Sequence, residues 1–304
     1  MKNILITGGL GFVGMPLATK LSKRFNITIV DKRKIKIRNK NIKVYHCDFA
    51  SNKSIKIISS SNIDTVLHLA AFTNVLESEK KKKKYKINNY YKSKIFFRKL
   101  KKIETIKNFL FASSAAVYGD NKNKVKETNA CEPINYYGKT KLFYENFLLN
   151  QKTKIKIIIT RFFNIVSESN QDNNTKSFFN NIAGSIKKKK TFYIYGNKFN
   201  TPDGYCYRDF IEMKILIKFI EKLLKLKNKK TIVNIGTGSP TSIGKIVFLI
   251  KKKYKNDFNY KVLGCNPSEI VYSCANMEKL KKLLKIKRIP AVNFVKSIDQ
   301  RLKS

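Results

Sequence analysis

The chain has 304 residues, enough for about two domains or one large one. Lys and Arg number 64 against 20 Asp and Glu, a formal net charge of +44, yet 42% of residues are apolar, with 21 Phe and 15 Tyr. That suffices for a buried core and excludes wholesale disorder, while Lys or Asn interrupts every apolar stretch before the ~18 residues a membrane span needs.

The chain opens directly on Asn3-Ile4-Leu5-Ile6-Thr7 with no leader pattern, so a soluble cytoplasmic protein is expected, with no membrane partner. Ile4–Thr7 reads as a short apolar strand. A helix over Phe12–Arg24 follows a cluster of glycines. Strands are expected at Ile27–Asp31, Ile42–His46, Ile63–Leu69, Asn108–Ala112 and Ile155–Thr160. Long helical stretches, Glu77–Lys102 and Asn135–Gln151, lie between them. Strands alternating with helices imply βαβ units and a parallel sheet covered on both faces.

The alternation breaks after Asn164. A polar run spans Ser167–Lys176. A helix near Phe178–Lys190, a strand at Phe192–Tyr195 and a Gly/Pro/Asn-containing loop over Gly196–Tyr205 follow. A helix at Met213–Leu226 and a strand at Ile232–Ile235 look like a return to the sheet. Helices are expected near Ser242–Tyr254, Asn276–Leu284 and Ala291–Arg301. The fold class is α/β, a Rossmann-like doubly wound parallel sheet with a smaller, partly interleaved C-terminal substrate domain. Residues 1–165 form the nucleotide domain, with 208–236 returning to it, and 166–304 mainly the substrate domain. The cleft between them is the default ligand site.

The basic charge invites a nucleic-acid reading, but its make-up argues against one. There are 56 Lys and only 8 Arg, dispersed along the chain with short runs at Lys80–Lys84, Lys187–Lys190 and Lys251–Lys253. Bidentate base and phosphate recognition favours Arg. The 31 Asn and the absence of Trp fit AT-rich coding, an explanation that a gene of balanced base composition would contradict. The five Cys form no CxxC pair, and His46 and His68 sit in strands without ligand-spaced partners, so neither a disulfide framework nor a metal site is expected.

Thr7-Gly8-Gly9-Leu10-Gly11-Phe12-Val13-Gly14 joins the first strand to the first helix. It fits G-x-G-x-x-G as well as G-x-x-G-x-x-G. Such glycines let a backbone approach a pyrophosphate, and the helix N-terminus offers free N–H groups. Asp31 closes the second strand, where a carboxylate can take both ribose hydroxyls of NAD. Lys32 and Arg33 follow at once and leave the choice between NAD and NADP open. Asp48 closes the third strand, placed to accept an adenine amino group or simply to cap a turn.

Tyr137-Gly138-Lys139-Thr140-Lys141 begins a helix, and Tyr137 and Lys141 share one face. An ammonium and a cationic nicotinamide ring would both favour the phenolate of Tyr137, making it a base for a substrate hydroxyl. Ser114, at the carboxyl end of the fifth strand, could shuttle the proton or cap a turn.

These motifs resemble the extended short-chain dehydrogenase/reductase family of NAD-dependent epimerases and dehydratases. The resemblance rests on Thr7–Gly14, Val66–Val75, Phe111–Asp120, Tyr137–Lys141, Thr160–Asn164, Tyr195–Phe210 and Val233–Gly238. It implies NAD held by Gly8, Gly11, Phe12, Val13, Gly14, Asp31, Asp48, Phe49, Ala70, Asn89, Tyr137, Lys141 and Phe163. It implies Ser114, Tyr137 and Lys141 as catalytic, with Ser114, Tyr137, Asn164 and Arg208 binding a nucleotide sugar, Arg208 on the diphosphate. The implied reaction is 4-epimerisation of a UDP-hexose, through C4 oxidation, turning of the keto sugar and re-reduction. A homodimer through the two long helical stretches is also implied.

Dehydratases of this family carry Thr-Asp-Glu where this chain has Ser114-Ala115-Ala116, which argues against loss of water. Several positions depart from the pattern. Asn266-Pro267-Ser268-Glu269 replaces Arg-Pro-Gly-Asp. Glu212 stands for a His, Ile215 for an Asp, Thr73 for a cofactor-side Lys and Lys92 for a Gly. Ser273 stands where a bulky residue limits sugar size, so acceptance of an N-acetylated hexose stays open. The same motifs are compatible with a uronate or pentose epimerase and with a 4-keto reductase. A non-catalytic NAD- or RNA-binding protein could also use this fold.

Overall fold

The structure is a computed structural model that describes residues 3–167, 178–226, 229–265 and 269–303. Most of the polar run after Ser167, and Asn266, Pro267 and Ser268, lie outside the described residues.

In chain order the first elements are β1 (Asn3–Thr7), α1 (Gly14–Leu21), β2 (Asn26–Asp31), β3 (Ile42–His46), α2 (Asn52–Ser60) and β4 (Thr65–His68). The expected Glu77–Lys102 helix is broken into α3 (Val75–Lys80), α4 (Lys82–Tyr85), a π-helical turn over Lys86–Lys92 and α5 (Ser93–Leu100). Then come β5 (Asn108–Ser114), α6 (Tyr136–Leu149), β6 (Lys156–Phe162), β7 (Asn164–Val166), α7 (Phe178–Lys187) and β8 (Phe192–Tyr195). The chain closes with β9 (Tyr207–Glu212), α8 (Met213–Leu224), β10 (Lys230–Ile235), β11 (Pro240–Ser242), α9 (Ile243–Tyr254), β12 (Tyr260–Leu263), β13 (Tyr272–Ser273), α10 (Glu278–Leu284) and α11 (Phe294–Lys303).

Seven strands form one sheet in the order β10-β6-β5-β4-β1-β2-β3. The pairs from β3 through β2, β1 and β4 to β5 are parallel. Hydrogen bonds from Ile157 to Lys229 and from Phe163 to Ile235 advance in the same direction, so β10 runs parallel to β6. Strand order reverses between β1 and β4, the doubly wound arrangement. The central strands are buried on both faces, as continuous apolar runs such as Ile4-Leu5-Ile6 require.

By packing, the described chain divides into two compact units. The first comprises residues 1–119, 131–161 and 217–233, and the second 120–130, 162–216 and 234–304. An aromatic cluster fills the first core, where Phe97 and Phe109 meet edge to face with ring centroids 4.9 Å apart. His68 lies among these rings, with Thr7 Oγ1 2.7 Å from its Nδ1 and Ser93 Oγ 3.0 Å from its Nε2. Burial, and then the nearby Lys141 charge, hold its pKa down to about 3, so it is a neutral core histidine.

The second unit holds a small mixed sheet in which β9 is central. β11 pairs antiparallel with it, and β7 and β13 pair parallel. A separate parallel pair joins β8 to β12. Helices α7, α9 and α11 pack together over Phe179, Ile246 and Ile298. Asp209 on β9 is fully buried. It accepts from Thr237 N (2.7 Å), Thr237 Oγ1 (2.6 Å), Gly238 N (2.9 Å) and Ala275 N (3.1 Å), clamping the Gly236–Gly238 loop to the strand.

Phe109 has no exposed surface. Phe109→Ala is expected to lower unfolding free energy by about 3–5 kcal/mol, read from urea denaturation followed by circular dichroism.

Candidate functional site

The β1–α1 turn is built for close approach. Gly8 adopts φ +69, and a Cβ there would fall 2.8 Å from the Ala70 backbone at the end of β4. A Cβ at Gly14 would collide with the Gly8 carbonyl. No side chain caps α1 at Val13, so its first-turn N–H groups face outward from the turn with Phe12 and Val13 around them. This cradle fits the pyrophosphate of a dinucleotide.

The two acids lie at the carboxyl ends of β2 and β3. Asp31 accepts from Leu10 N (3.0 Å) and Arg33 N (3.0 Å) and forms an ion pair with the Arg33 guanidinium. Burial raises its pKa, but the Arg33 contacts outweigh burial and the net shift is downward. Asp48 is bonded by Lys32 (2.8 Å) and by Lys92, with Ala50 N 2.9 Å from its other oxygen. These partners likewise outweigh burial and hold it at about 2. The Phe49 ring sits in the core against His68, leaving its backbone as the part that can face a ligand.

Asn89, in the π turn, is occupied by the chain itself. Its amide accepts from Phe72 N (2.9 Å) and donates to Phe72 O (2.9 Å) and Thr140 Oγ1 (3.2 Å). It therefore ties the segment after β4 to α6.

Ser114, Tyr137 and Lys141 come together in the first unit. Asn135 caps α6 by accepting from Gly138 N (2.8 Å), which sets Tyr137 in the first turn. Gly138 lets α6 lie against the Ala116 carbonyl, a contact any Cβ would block. The Ser114 hydroxyl accepts from Ala116 N (3.2 Å) and hydrogen-bonds the Tyr137 phenol. Lys141 Nζ donates to Ala112 O (2.7 Å) and lies 5.8 Å from the Tyr137 ring centroid.

The electrostatics of the chain alone differ from the sequence expectation of a lowered phenol pKa. Burial pushes Tyr137 up to about 12, and the Ser114 hydrogen bond only partly opposes it. Burial also pulls Lys141 down to about 7, partly offset by Glu145. The Lys141 ammonium is directed at a carbonyl rather than at the phenol oxygen, which weakens its leverage on Tyr137.

Below this set lies a network that sequence reasoning missed. Arg161 on β6 donates to both oxygens of Glu145 on α6, with Nη2 to Oε2 at 2.7 Å, and Ser113 bonds the same carboxylate. Both charged residues are buried. The available signal was Glu145 itself, an acid four residues beyond Lys141 on the face already shared by Tyr137.

In the second unit, Arg208 Nη2 meets Glu269 Oε1 at 2.6 Å, and its Nη1 donates to Tyr207 O at 3.0 Å. Ser273 is the cross-strand partner of Arg208. Asn164 donates to Asp209 O at 3.3 Å, and Phe163 is buried. Among the described residues no cluster of His, Cys, Asp or Glu could hold a metal, and no helix is long and apolar enough to cross a membrane.

Lys141 gives a pH signature. Its folded pKa, near 7, lies below the usual 10.5. The unfolded chain thus binds more protons between those values, and stability rises with pH across that window. The wild-type melting temperature should climb between about pH 7 and pH 10 relative to Lys141→Met, measured by scanning fluorimetry.

The model of the NAD dependent epimerase/dehydratase family matches residues 4–236. UDP-glucose 4-epimerase of Dictyostelium discoideum is 30% identical over 311 residues, covering 92% of this chain and 90% of that protein. UDP-glucose 4-epimerase of Mycoplasma genitalium is 28% identical over 313 residues, with 93% and 91% covered. A solved UDP-N-acetylglucosamine 4-epimerase from Methanobrevibacter ruminantium, in complex with UDP-N-acetylmuramic acid, superposes with a TM-score of 0.87 at 27% identity over 99% of this chain and 97% of that one. With its glycine turn, strand-end acids and Ser-Tyr-Lys set in this arrangement, the chain belongs to the NAD dependent epimerase/dehydratase family.

Proposed function

We propose that the protein is an isomerase that interconverts UDP-hexoses at C4, as a cytoplasmic homodimer with bound NAD. The hydrogen-bonded Ser114–Tyr137 pair beside Lys141 carries this reading. The relatives named UDP-glucose 4-epimerase, similar across about nine-tenths of the chain, support the substrate class. Ala115 and Ala116 offer no acid or base for dehydration. The five cysteines are free, which suits a reducing compartment.

Gly8, Gly11 and Gly14 would seat the pyrophosphate, Asp31 and Asp48 the adenosine, and the Ala70 backbone would pass beneath the cofactor. Bound NAD would supply hydride exchange at C4 and a positive ring that favours the Tyr137 phenolate. Tyr137 takes the O4 proton as the sugar is oxidised and returns it on reduction, so the phenol ends as it began. Ser114 orients the hydroxyl and can pass the proton to the phenol oxygen. Lys141 orients the cofactor ribose and adds positive charge. Asn164 and Arg208 hold the nucleotide diphosphate while the keto sugar turns, with Phe163 lining the site.

A second substrate, a UDP-N-acetylhexosamine, is favoured by the small Ser273 opposite Arg208. Incubation with UDP-galactose, UDP-glucose and UDP-N-acetylglucosamine, without added nucleotide, should yield the C4 epimer of at least one. Turnover of none removes the function. Tyr137→Phe should lower kcat by about 10²–10⁴-fold, and full activity in that variant removes the mechanism.

Exposed Ile87, Tyr91, Ile95 and Phe143 on the π turn, α5 and α6 support the dimer assignment. Light scattering should give a dimer, and Phe143→Glu with Tyr91→Glu should give a monomer.

A further inference from the structure

The adenosine end of the cofactor site carries an unusual charge arrangement. In a site built for an unphosphorylated ribose, a strand-end carboxylate offers free oxygens to two hydroxyls. Here both oxygens of Asp31 are already engaged. Arg33 approaches one through its backbone N (3.0 Å) and Nε (3.3 Å). The other receives Leu10 N (3.0 Å) and Arg33 Nη2 (3.0 Å). A Cβ at Gly11 would lie 3.1 Å from the same Nη2, so the guanidinium rests on the glycine turn.

The second carboxylate is covered in the same way. Lys32 and Lys92 converge on Asp48, although Lys92 stands 44 residues away in the chain. Thus three cations cover two acids, leaving a net charge of +1. The acids face inward, with side chains 8% and 20% exposed. The cations face outward, at 36% for Arg33, 56% for Lys32 and 34% for Lys92. Lys32 and Lys92 also line an open cavity of about 830 Å³ whose rim includes Lys80 and Lys84. Background lysine content does not explain Arg33, one of only 8 arginines, forked onto the carboxylate that would otherwise repel a phosphate.

We propose that this end of the site accepts the 2′-phosphate of an adenine dinucleotide, so that the protein binds NADP as well as NAD. Arg33 neutralises Asp31 and presents its remaining N–H donors to the phosphate, and Lys32 adds a second charge-assisted contact. For the unphosphorylated cofactor the guanidinium yields Asp31 to the ribose hydroxyls. The inference rests on the dinucleotide reading of the β1–α1 turn.

The test reads binding by the full chain rather than turnover. NADH and NADPH are titrated separately against nicotinamide fluorescence, and 2′,5′-ADP and 3′,5′-ADP compete as bisphosphates with the same set of groups but different phosphate positions. NADPH affinity should come within about tenfold of NADH affinity. Arg33→Ala should weaken NADPH by about ten- to a hundredfold, with a smaller change for NADH. Lys32→Ala should do the same to a lesser degree. The 2′,5′ isomer should compete better than the 3′,5′ isomer. NADPH binding weaker than NADH by over roughly a hundredfold overturns the proposal and leaves the NAD assignment standing. Equal loss of both cofactors in Arg33→Ala, or equal competition by the two isomers, also overturns it. Binding of neither cofactor overturns both this proposal and the cofactor assignment.

Discussion

Arg161 and Glu145 are buried together beneath the candidate catalytic residues, joined by several N–H···O contacts and bonded by Ser113 from the neighbouring strand. A buried pair of this kind contributes little net stability over an apolar core, but losing one partner leaves a stranded charge. Its value here is positional. It ties α6 to β5 and β6 at one height, and Tyr137 and Lys141 ride on that helix while Ser114 ends that strand. The Arg161 guanidinium also stacks 4.7 Å from the Tyr118 ring, just beyond the Ser114 turn. Alignment of a phenol, a hydroxyl and an ammonium thus depends on a salt bridge that touches none of them directly.

The same unit shows how a very basic chain organises charge. Near α3 and α4, lysines pair with Glu77 or lie over aromatic rings, as Lys84 does 4.6 Å from Phe72. Such exposed contacts are screened by salt and individually weak. Around Asp31 and Asp48, by contrast, cations close over carboxylates that are partly desolvated, and their fields persist. Net charge alone would not separate these two settings, whereas burial and geometry do.

Much of the fold was legible where neighbours in sequence are neighbours in space. The glycine turn, Asp31 and the Tyr137/Lys141 face are local patterns, and β3 and β8 fall where apolar alternation put them. The long helix expected over Glu77–Lys102 was not one helix, because apolar periodicity does not register a π turn. The two- to six-residue strands β7, β9, β11 and β13 are too short to show a period, and pairing with distant partners defines them. At the site, residue types were readable but engagements were not. Asn89 serves its own chain, Lys92 reaches Asp48 across the sequence, and Asp209 sits buried beside the outward Arg208 of the same motif. The phenol pKa runs against the sequence pattern because burial, invisible there, outweighs a cation whose ammonium is held by a carbonyl.

The π turn over Lys86–Lys92 places two successive asparagines, Asn88 and Asn89, in buried positions. In an α-helix consecutive side chains diverge by about 100°, and both could not turn inward so fully. A wider turn accommodates them by taking up more residues per revolution. The segment is therefore constrained in length more than in composition. Removing one residue would restore an α-helix and swing Phe96 and Phe97 about 100° out of their core positions. Among divergent descendants of this chain, exchanges of side chain along α3 to α5 should accumulate freely at exposed sites, while changes in residue count there should be purged.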